Sequence, residues 1–286
     1  MAKRTNTGEK LRRHEVIELW LTRLVIWFVI LLVFFPILSI ITASLQSGDV
    51  FFSESLLPNP ARFTFANYVS LFKTTKFPTW VFNTIWIGAA VGLLQVAVTV
   101  TSSYAFSRLR FPGRNGGIRA LLLLQMMPSY VSIAAIQYVL FKLNLANLWG
   151  LLLVMLGASA YNIWLIKGYM DGLPKELDEA AKVDGCTDWE VFYKIILPLA
   201  RPMLAVMFLL TFIGIFNEYI MASALLKRPD DYLLAQGLRT FTQNNFSTNW
   251  GKFSAAVVTA CVPLAVIWGF AQKYIEAGLT KGAVKG

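Results

Sequence analysis

The sequence predicts an all-α membrane protein with six transmembrane helices. Its 286 residues are 56% hydrophobic and only 15% charged, whereas a typical soluble domain has about 25% charged residues. The apolar residues form six long runs, five without any charge and one with a single acid, Glu218. Runs of 18 or more residues cross the hydrocarbon core as helices. These runs lack the strict apolar and polar alternation of a transmembrane β-barrel.

The predicted transmembrane domain covers residues 24–273, between a cytoplasmic N-terminal segment (1–23) and a cytoplasmic tail (274–286). Its six spans cover residues 24–45, 79–105, 119–141, 146–167, 202–226 and 253–273. A soluble fold would have to bury all six as core helices, which would leave too little polar surface to cover them. The first span is longer than the apolar region of a signal peptide, so it is interpreted as an uncleaved anchor.

The distribution of basic residues predicts which side of the membrane each connection occupies. Of the 26 Lys and Arg residues, 18 fall in the two termini and in the second and fourth connections, and 8 fall on the alternate side. Excess Lys and Arg mark the cytoplasmic side. Both termini are therefore expected inside, and the net charge of +10 indicates membrane topology and lipid contact rather than nucleic acid. No catalytic residue, metal site or cofactor is expected, and the single histidine, His14, argues against a His-based metal centre.

Two connections, 46–78 and 227–252, are predicted to be external. The second contains Gln243, Asn244 and Asn245 among aromatic and hydroxyl residues. Amide side chains of this kind suit contact with a sugar or with a protein surface. A solvated loop with turn-forming Asn and Ser explains the same composition equally well.

The internal connection 171–201 is unusual because seven of the 16 acids of the chain lie between residues 171 and 190. Strong helix formers predict a first helix, with i,i+4 ion pairs between Lys175 and Glu179 and between Asp178 and Lys182. Gly185 is placed for a left-handed helix end, and Thr187 with Glu190 matches a capping box that opens a second helix. That helix is expected to end where Pro198 and Pro202 announce the next span. Because the inner leaflet is anionic, an acidic helix pair favours a protein partner over a lipid surface.

A few polar residues lie inside the apolar runs. Glu218 is the one acidic residue in any predicted span, and an intramembrane acid suggests a functional site. A structural hydrogen bond near the outer interface explains it equally well. Asn217, Gln125 and Gln95 could line a pathway, although most such residues form hydrogen bonds between helices. Gly88 and Gly92 form a small-x-x-x-small pattern that predicts close helix packing.

The same internal connection carries a sequence motif of the pattern E-A-A-x3-G-x9-I-x-L-P. It is matched completely by Glu179, Ala180, Ala181, Gly185, Ile195, Leu197 and Pro198. This motif resembles the EAA motif in the membrane subunits of bacterial ABC importers. Further segments, such as "FFPILSIITASLQSGDV" and "YAFSRLRFPGR", resemble the smaller membrane subunit of maltose-type sugar importers. The resemblance covers most of the chain beyond the first 20 or so residues.

The resemblance implies a mechanism and a set of partners. The two EAA helices would dock on a cytoplasmic ATPase dimer, and ATP-driven closure of that dimer would convert the pathway from inward to outward facing. ATP and Mg²⁺ would bind the ATPase alone, since this sequence has no G-x-x-x-x-G-K-[ST] phosphate loop. The other expected partners are a second permease subunit, forming a heterodimer, and an extracytoplasmic sugar-binding protein that touches the loop at Gln243, Asn244 and Asn245. The expected location is the bacterial cytoplasmic membrane.

The expected cargo is an oligosaccharide, with maltose or maltodextrin as the first expectation and another di- or oligosaccharide or glycan as the alternative. An ion-coupled secondary transporter is a remoter alternative. Such a transporter needs no acidic cytoplasmic helix pair and usually has several intramembrane ionisable groups. A membrane-embedded enzyme is disfavoured because the sequence has no His pair and no paired intramembrane acids.

Overall fold

The computed structural model describes residues 13–47, 59–126, 129–157, 159–242 and 249–283. Within these ranges the chain is helical apart from turns and one isolated antiparallel bridge, and no β-strand is present. The helices are α1 (Arg13–Ser44), α2 (Ala66–Thr74), α3 (Phe77–Arg108), α4 (Arg114–Gln125), α5 (Ile133–Lys142), α6 (Leu148–Gly157), α7 (Ala160–Asp171), α8 (Glu176–Val183), α9 (Asp188–Val191), α10 (Leu197–Phe216), α11 (Ile220–Leu225), α12 (Leu234–Arg239) and α13 (Trp250–Ala283). The all-α prediction is confirmed.

Several helices have the length and composition of membrane spans. Four described segments qualify individually, namely Val16–Ser44, Phe77–Arg108, Asp188–Phe216 and Trp250–Gly269. The pair α6 and α7, bent by 45°, qualifies as a fifth if it is counted as one span. The chain is therefore a multi-pass membrane protein, but among the described residues single helices do not provide the six spans expected from the sequence.

The missing span is the predicted segment 119–141, which is not one helix. α4 ends at Gln125, a short 3-10 turn covers Ser129–Ser132, and α5 follows. The apolar run is thus divided between two helices of 12 and 10 residues.

The predicted span 202–226 is part of a helix that starts earlier than expected. The helix begins at Asp188 and continues to Phe216, so Pro198 and Pro202 do not separate two helices and that prediction was wrong. A five-residue π-helical segment (Phe192–Ile196) joins α9 to α10. It places Pro198 in the first turn of the α-helical stretch, where the missing N–H costs little.

The centre of the bundle is the contact between α3 and α10. A Cβ atom on Gly88 would lie 3.0 Å from the ring of Phe212, and one on Gly92 would lie 2.8 Å from the ring of Phe208. These two positions therefore have no room for a larger side chain. The close packing predicted from the small-x-x-x-small pattern is confirmed.

α1 packs against α13 but exposes the side chains of its apolar part. No residue in its most apolar 18-residue window is buried. It is held at its C-terminal end, where Ser44 Oγ and Tyr68 Oη are 2.8 Å apart and Asn67 Nδ2 donates to the Ser44 carbonyl at 3.1 Å. The exposed side of α1, opposite α13, faces lipid or another chain.

Candidate functional site: the coupling helix pair at the end of α3

The coupling segment, defined here as residues 171–201, folds as the helix pair α8 and α9 joined by a glycine turn. Gly185 has φ +85°, the left-handed conformation that a side chain disfavours. The Thr187 hydroxyl accepts from the Glu190 N–H at 3.3 Å, and the Thr187 N–H donates to Glu190 Oε2 at 2.9 Å. The left-handed turn and the capping box are thereby confirmed.

The helix pair has one buried face and one exposed face. Ala181, Phe192 and Ile196 are buried against the ends of α3 and α7. The Phe192 ring lies 5.0 Å from that of Tyr104. The apolar residues on the opposite face are exposed, and they are Leu177, Ala180, Val183, Trp189 and Tyr193. Val183 is 88% exposed and Trp189 is 64% exposed, so this exposed apolar face has no cover within the described chain.

The residues of the EAA motif are divided between these two environments. Glu179, Ala180 and Gly185 are exposed, and Ala181 is buried; Ile195, Leu197 and Pro198 are partly buried. Glu179 forms no ion pair with any described residue. The motif therefore places an unpaired acid beside the exposed apolar face.

A buried ion pair fastens α8 to the end of α3. Arg108 Nε lies 2.6 Å from Asp178 Oδ2, and the two side chains are 7% and 14% exposed. The contact is an ion pair rather than a well-aligned hydrogen bond, and Arg108 also donates to the Leu173 carbonyl at 3.1 Å. The predicted Asp178–Lys182 pair is wrong, because Lys182 Nζ pairs with Asp188 Oδ1 at 2.8 Å. The predicted Lys175–Glu179 pair is likewise not among the ion pairs of the described residues. Burial raises the pKa of Asp178, and the positive charges of Arg108 and Lys182 offset this only in part.

Two further hydrogen bonds connect the end of α3 to the coupling segment. Ser107 Oγ donates to Asp171 Oδ1 at 2.6 Å, and Tyr104 Oη donates to the Asp188 carbonyl at 2.9 Å. Lys167 completes this group through a 2.5 Å contact with Asp171 Oδ2. The Tyr104 hydrogen bond fixes α9 to α3, and the Ser107 hydrogen bond fixes the end of α7, from which the chain leads into α8.

Sequence reasoning missed this anchor, since it counted Arg108 only as a topological charge. A signal was available in the charge balance. The seven acids between residues 171 and 190 are accompanied there by only two lysines, so some acids need partners elsewhere. The arginines of the second connection, predicted on the same side, were the available candidates.

The predicted pathway residues Asn217 and Glu218 lie where α10 ends and α11 begins. Asn217 Nδ2 donates to the Ile213 carbonyl at 3.3 Å, and Glu218 Oε1 accepts from the Met221 N–H at 2.8 Å. These side chains satisfy backbone groups at the helix break, and Asn217 itself is exposed. Gln125 is exposed at the end of α4 and forms no hydrogen bond with either residue. The structure does not bring the three together by direct polar contact.

Gln95 is 5% exposed and joins three helices to α3. Its Nε2 donates to the Met155 carbonyl at 2.7 Å, next to the bend between α6 and α7. Its Oε1 accepts from Thr211 Oγ1 at 3.2 Å and from Asn162 Nδ2 at 3.3 Å. Gln95 thus supplies the helix–helix hydrogen bonds expected of most polar residues inside spans.

Near the N-terminal end of α3, side-chain hydrogen bonds hold the segment 230–234, which follows α11. Asn83 Nδ2 donates to the carbonyls of Asp230 and Tyr232 at 2.8 and 3.1 Å. Thr84 Oγ1 accepts from the Leu234 N–H at 2.8 Å. The predicted contact residues Gln243, Asn244 and Asn245 lie outside the described residues. Within the described chain, no group of three or more His, Cys, Asp or Glu side chains could hold a metal ion.

The fold and the site together define a polytopic α-helical membrane protein. At one end of its bundle it carries an anchored helix pair with an exposed apolar face. The family model described as "Binding-protein-dependent transport system inner membrane component" matches residues 97–281. The chain belongs to this family, and it is a multi-pass protein of the inner membrane.

Curated relatives match over nearly the whole chain. The "Maltose/maltodextrin transport system permease protein MalG" of Vibrio parahaemolyticus is 37% identical, covering 94% of this chain and 96% of that protein. The "Maltodextrin transport system permease protein MalD" of Streptococcus pneumoniae is 34% identical, covering 98% of this chain and 100% of that protein. MalG of Escherichia coli is 33% identical, covering 96% and 98%.

Solved structures share the fold. A chain from a bacterial ABC transporter involved in the import of the acidic polysaccharide alginate superposes with a TM-score of 0.81 at 23% identity, covering 93% of this chain and 99% of that one. A chain from a bacterial alginate ABC transporter in complex with an alginate pentasaccharide-bound periplasmic protein gives a TM-score of 0.64 at 18% identity, covering 90% and 92%.

Proposed function

We propose that this chain is one of two permease subunits of an ATP-driven importer for an oligosaccharide. A binding protein outside the membrane delivers the sugar. A separate ATPase dimer, which holds the ATP and Mg²⁺, drives alternating access through the helix pair α8 and α9. The chain itself performs no catalysis.

The observation that carries this proposal is the exposed apolar face of the coupling segment beside the unpaired Glu179. Trp189 is 64% exposed in the acidic connection rather than in a predicted span, and buried Trp side chains are typical anchors of protein interfaces. The anionic inner leaflet repels the surrounding acids, which disfavours a lipid cover. A docked protein buries Trp189 and gives Glu179 a basic partner in a hydrogen bond to a charged group, worth about 1.5–3 kcal/mol.

A partner that docks on the exposed face can drive transport, because the helix pair is attached to the bundle and moves with it. The buried Arg108–Asp178 pair fixes α8 to α3, and α9 continues through the π-helical segment into α10. Movement of a docked ATPase is therefore passed to two transmembrane helices at once.

Six spans with both termini in the cytoplasm are part of the proposal. The excess of 18 of 26 Lys and Arg residues on the side of the termini supports this topology. The sixth span is assigned to the divided segment 119–141, with α4 and α5 crossing together as a broken helix. The exposed α1 is available to a second permease subunit.

The first expected substrate is a maltodextrin, since the relatives that are 33–37% identical carry that name. An acidic or other neutral glycan is the alternative. Uptake assays with a graded set of malto-oligosaccharides, disaccharides and alginate oligosaccharides, each with its cognate binding protein, measure this choice directly.

The test of coupling uses the whole complex reconstituted in liposomes. Trp189→Ala is expected to weaken ATPase association by about 2 kcal/mol or more, roughly 30-fold, as for an interface hot spot. Trp164→Ala is the matched control, because Trp164 is similarly exposed at 46% but lies on α7, away from the exposed apolar face. ATP hydrolysis stimulated by sugar and binding protein is measured for each variant.

Equal effects of the two substitutions would contradict the docking role of the helix pair. Uptake that needs a proton or sodium gradient and no ATP would instead establish the ion-coupled alternative.

A further inference from the structure

A basic cavity lies beside the coupling segment, between the end of α3 and α8. It has a volume of about 510 Å³. Five basic side chains line it, and they are Arg108, Arg110, Arg114, Lys175 and Lys182. A second cavity of about 470 Å³ shares Arg110 and Arg114 with the first and lies at the N-terminus of α4.

The positive charge of the first cavity is not balanced by its own acids. Asp178 and Asp188 are already occupied by Arg108 and Lys182. The Arg114 guanidinium donates to two backbone carbonyls at 2.7 and 2.9 Å, which leaves its charge uncompensated. In the described chain Arg110 and Lys175 also form no ion pair, and Glu179 is the one unpaired acid in the lining. Three unpaired bases therefore face one unpaired acid.

Arg108 gives a second, independent indication of a ligand. Its side chain is 7% exposed, and its Nη1 is buried without a hydrogen-bond partner among the described residues, as is Asp178 Oδ1 of the same ion pair. A buried donor without a partner is costly, more so when it is charged. An anionic acceptor in the cavity would remove that cost.

The start of α4 completes the site. α4 has 12 residues and begins after Gly113, which has φ +82° and provides no side-chain cap. The N-terminus of a helix attracts anions through its free N–H groups and its dipole. The shared residues Arg110 and Arg114 thus stand between a buried guanidinium and an uncapped helix end.

We propose that these adjoining cavities bind the phosphate group of an anionic phospholipid of the inner leaflet. Basic pockets between transmembrane helices on the cytoplasmic side recognise such headgroups. From the cavity, α4 leads to Leu123 and Leu124, which are 66% and 64% exposed. Acyl chains can lie along this apolar surface, whereas a soluble phosphate gains nothing from it. The bound lipid lies against α8 and connects membrane composition to the coupling segment.

The test is native mass spectrometry of the purified full chain titrated with phosphatidylglycerol or with phosphatidylcholine of the same acyl chains. One phosphatidylglycerol is expected per chain, with clear preference over phosphatidylcholine. Arg110→Gln is expected to weaken binding about 5-fold, the contribution of one basic residue near an anionic surface, and Lys175→Gln is expected to act in the same direction. Arg119→Gln is the matched control, since Arg119 is exposed on α4 and lines neither cavity.

Thermal unfolding of each variant shows whether a loss of lipid reflects a loss of fold. A loss of binding by Arg119→Gln equal to that by Arg110→Gln overturns the site in favour of diffuse attraction. Equal retention of phosphatidylcholine overturns the requirement for an anion. Displacement of phosphatidylglycerol by inorganic phosphate at the same concentration identifies a soluble-anion site and overturns the lipid assignment.

Discussion

Replacing Gly185 by alanine tests whether the geometry of the turn between α8 and α9 sets the coupling to the ATPase. Gly185 has φ +85°, and a Cβ atom there would meet no other atom within 4 Å. The substitution therefore causes no clash and acts through backbone conformation alone. A left-handed conformation costs an L-residue about 1–2 kcal/mol.

In the free subunit a local opening of the exposed turn relieves this strain, while α8 and α9 stay attached to α3. Docking must then restore the turn, so the strain appears as weaker association. A cost of about 1–2 kcal/mol corresponds to roughly a 5–30-fold change in an equilibrium constant. Sugar-stimulated ATP hydrolysis should fall at low ATPase concentration and recover when the ATPase is in excess.

One alanine variant serves as the control for this experiment. Gly168 lies in α7 with open space around it, and alanine there favours the helix by about 0.5–1 kcal/mol. If Gly168→Ala reduced ATPase association as much as Gly185→Ala, the reasoning from the turn would be refuted.

Three further predictions concern the interior of the bundle. Arg108→Met and Asp178→Leu should each lower the free energy of unfolding by about 3–5 kcal/mol, because each leaves a buried charge without its partner. The double variant should lose less stability than either single variant. Thermal unfolding in detergent measures all three variants, and additive losses would contradict the ion pair. Gln95→Leu should lower the free energy of unfolding by about 1–3 kcal/mol, since buried carbonyl and hydroxyl groups lose their partner. Gln125→Leu, at an exposed position, should leave the unfolding midpoint unchanged. Equal losses in the two variants would contradict the structural role of Gln95. Glu218→Gln retains the oxygen that caps α11 and should preserve the free energy of unfolding, whereas Glu218→Ala should lower it by about 1 kcal/mol, as other cap substitutions do. Uptake assays on both variants separate the two roles: a loss of uptake in Glu218→Gln indicates a role of the charge, and a loss in Glu218→Ala alone indicates a role in capping.

The sequence was most informative where local rules act alone. The conformation at Gly185 and the capping box at Thr187 depend on a few neighbouring residues, and both were predicted. The close approach of α3 and α10 at Gly88 was also predictable, since glycine in an apolar helix leaves room for another helix.

Predictions failed where contacts between distant segments decide the outcome. Asp178 has an ideally spaced lysine on its own helix but pairs with Arg108, 70 residues earlier in the sequence, because that partner is buried beside it. Pro198 and Pro202 have a strong local tendency to end a helix, yet a π-helical segment before them keeps the helix continuous. Neither result follows from a window of neighbouring residues.

The continuity of the helix from Asp188 to Phe216 has a mechanical consequence. Its 29 residues extend about 43 Å at a rise of 1.5 Å per residue. A rod of this length acts as a lever, and a tilt of about 10° about its α9 end displaces the other end by about 7 Å. That far end is the break at Asn217 and Glu218, where the polar side chains lie. If an ATPase docks on α9 as proposed, a small tilt that it imposes there becomes a displacement large enough to open or shut a passage for a sugar ring.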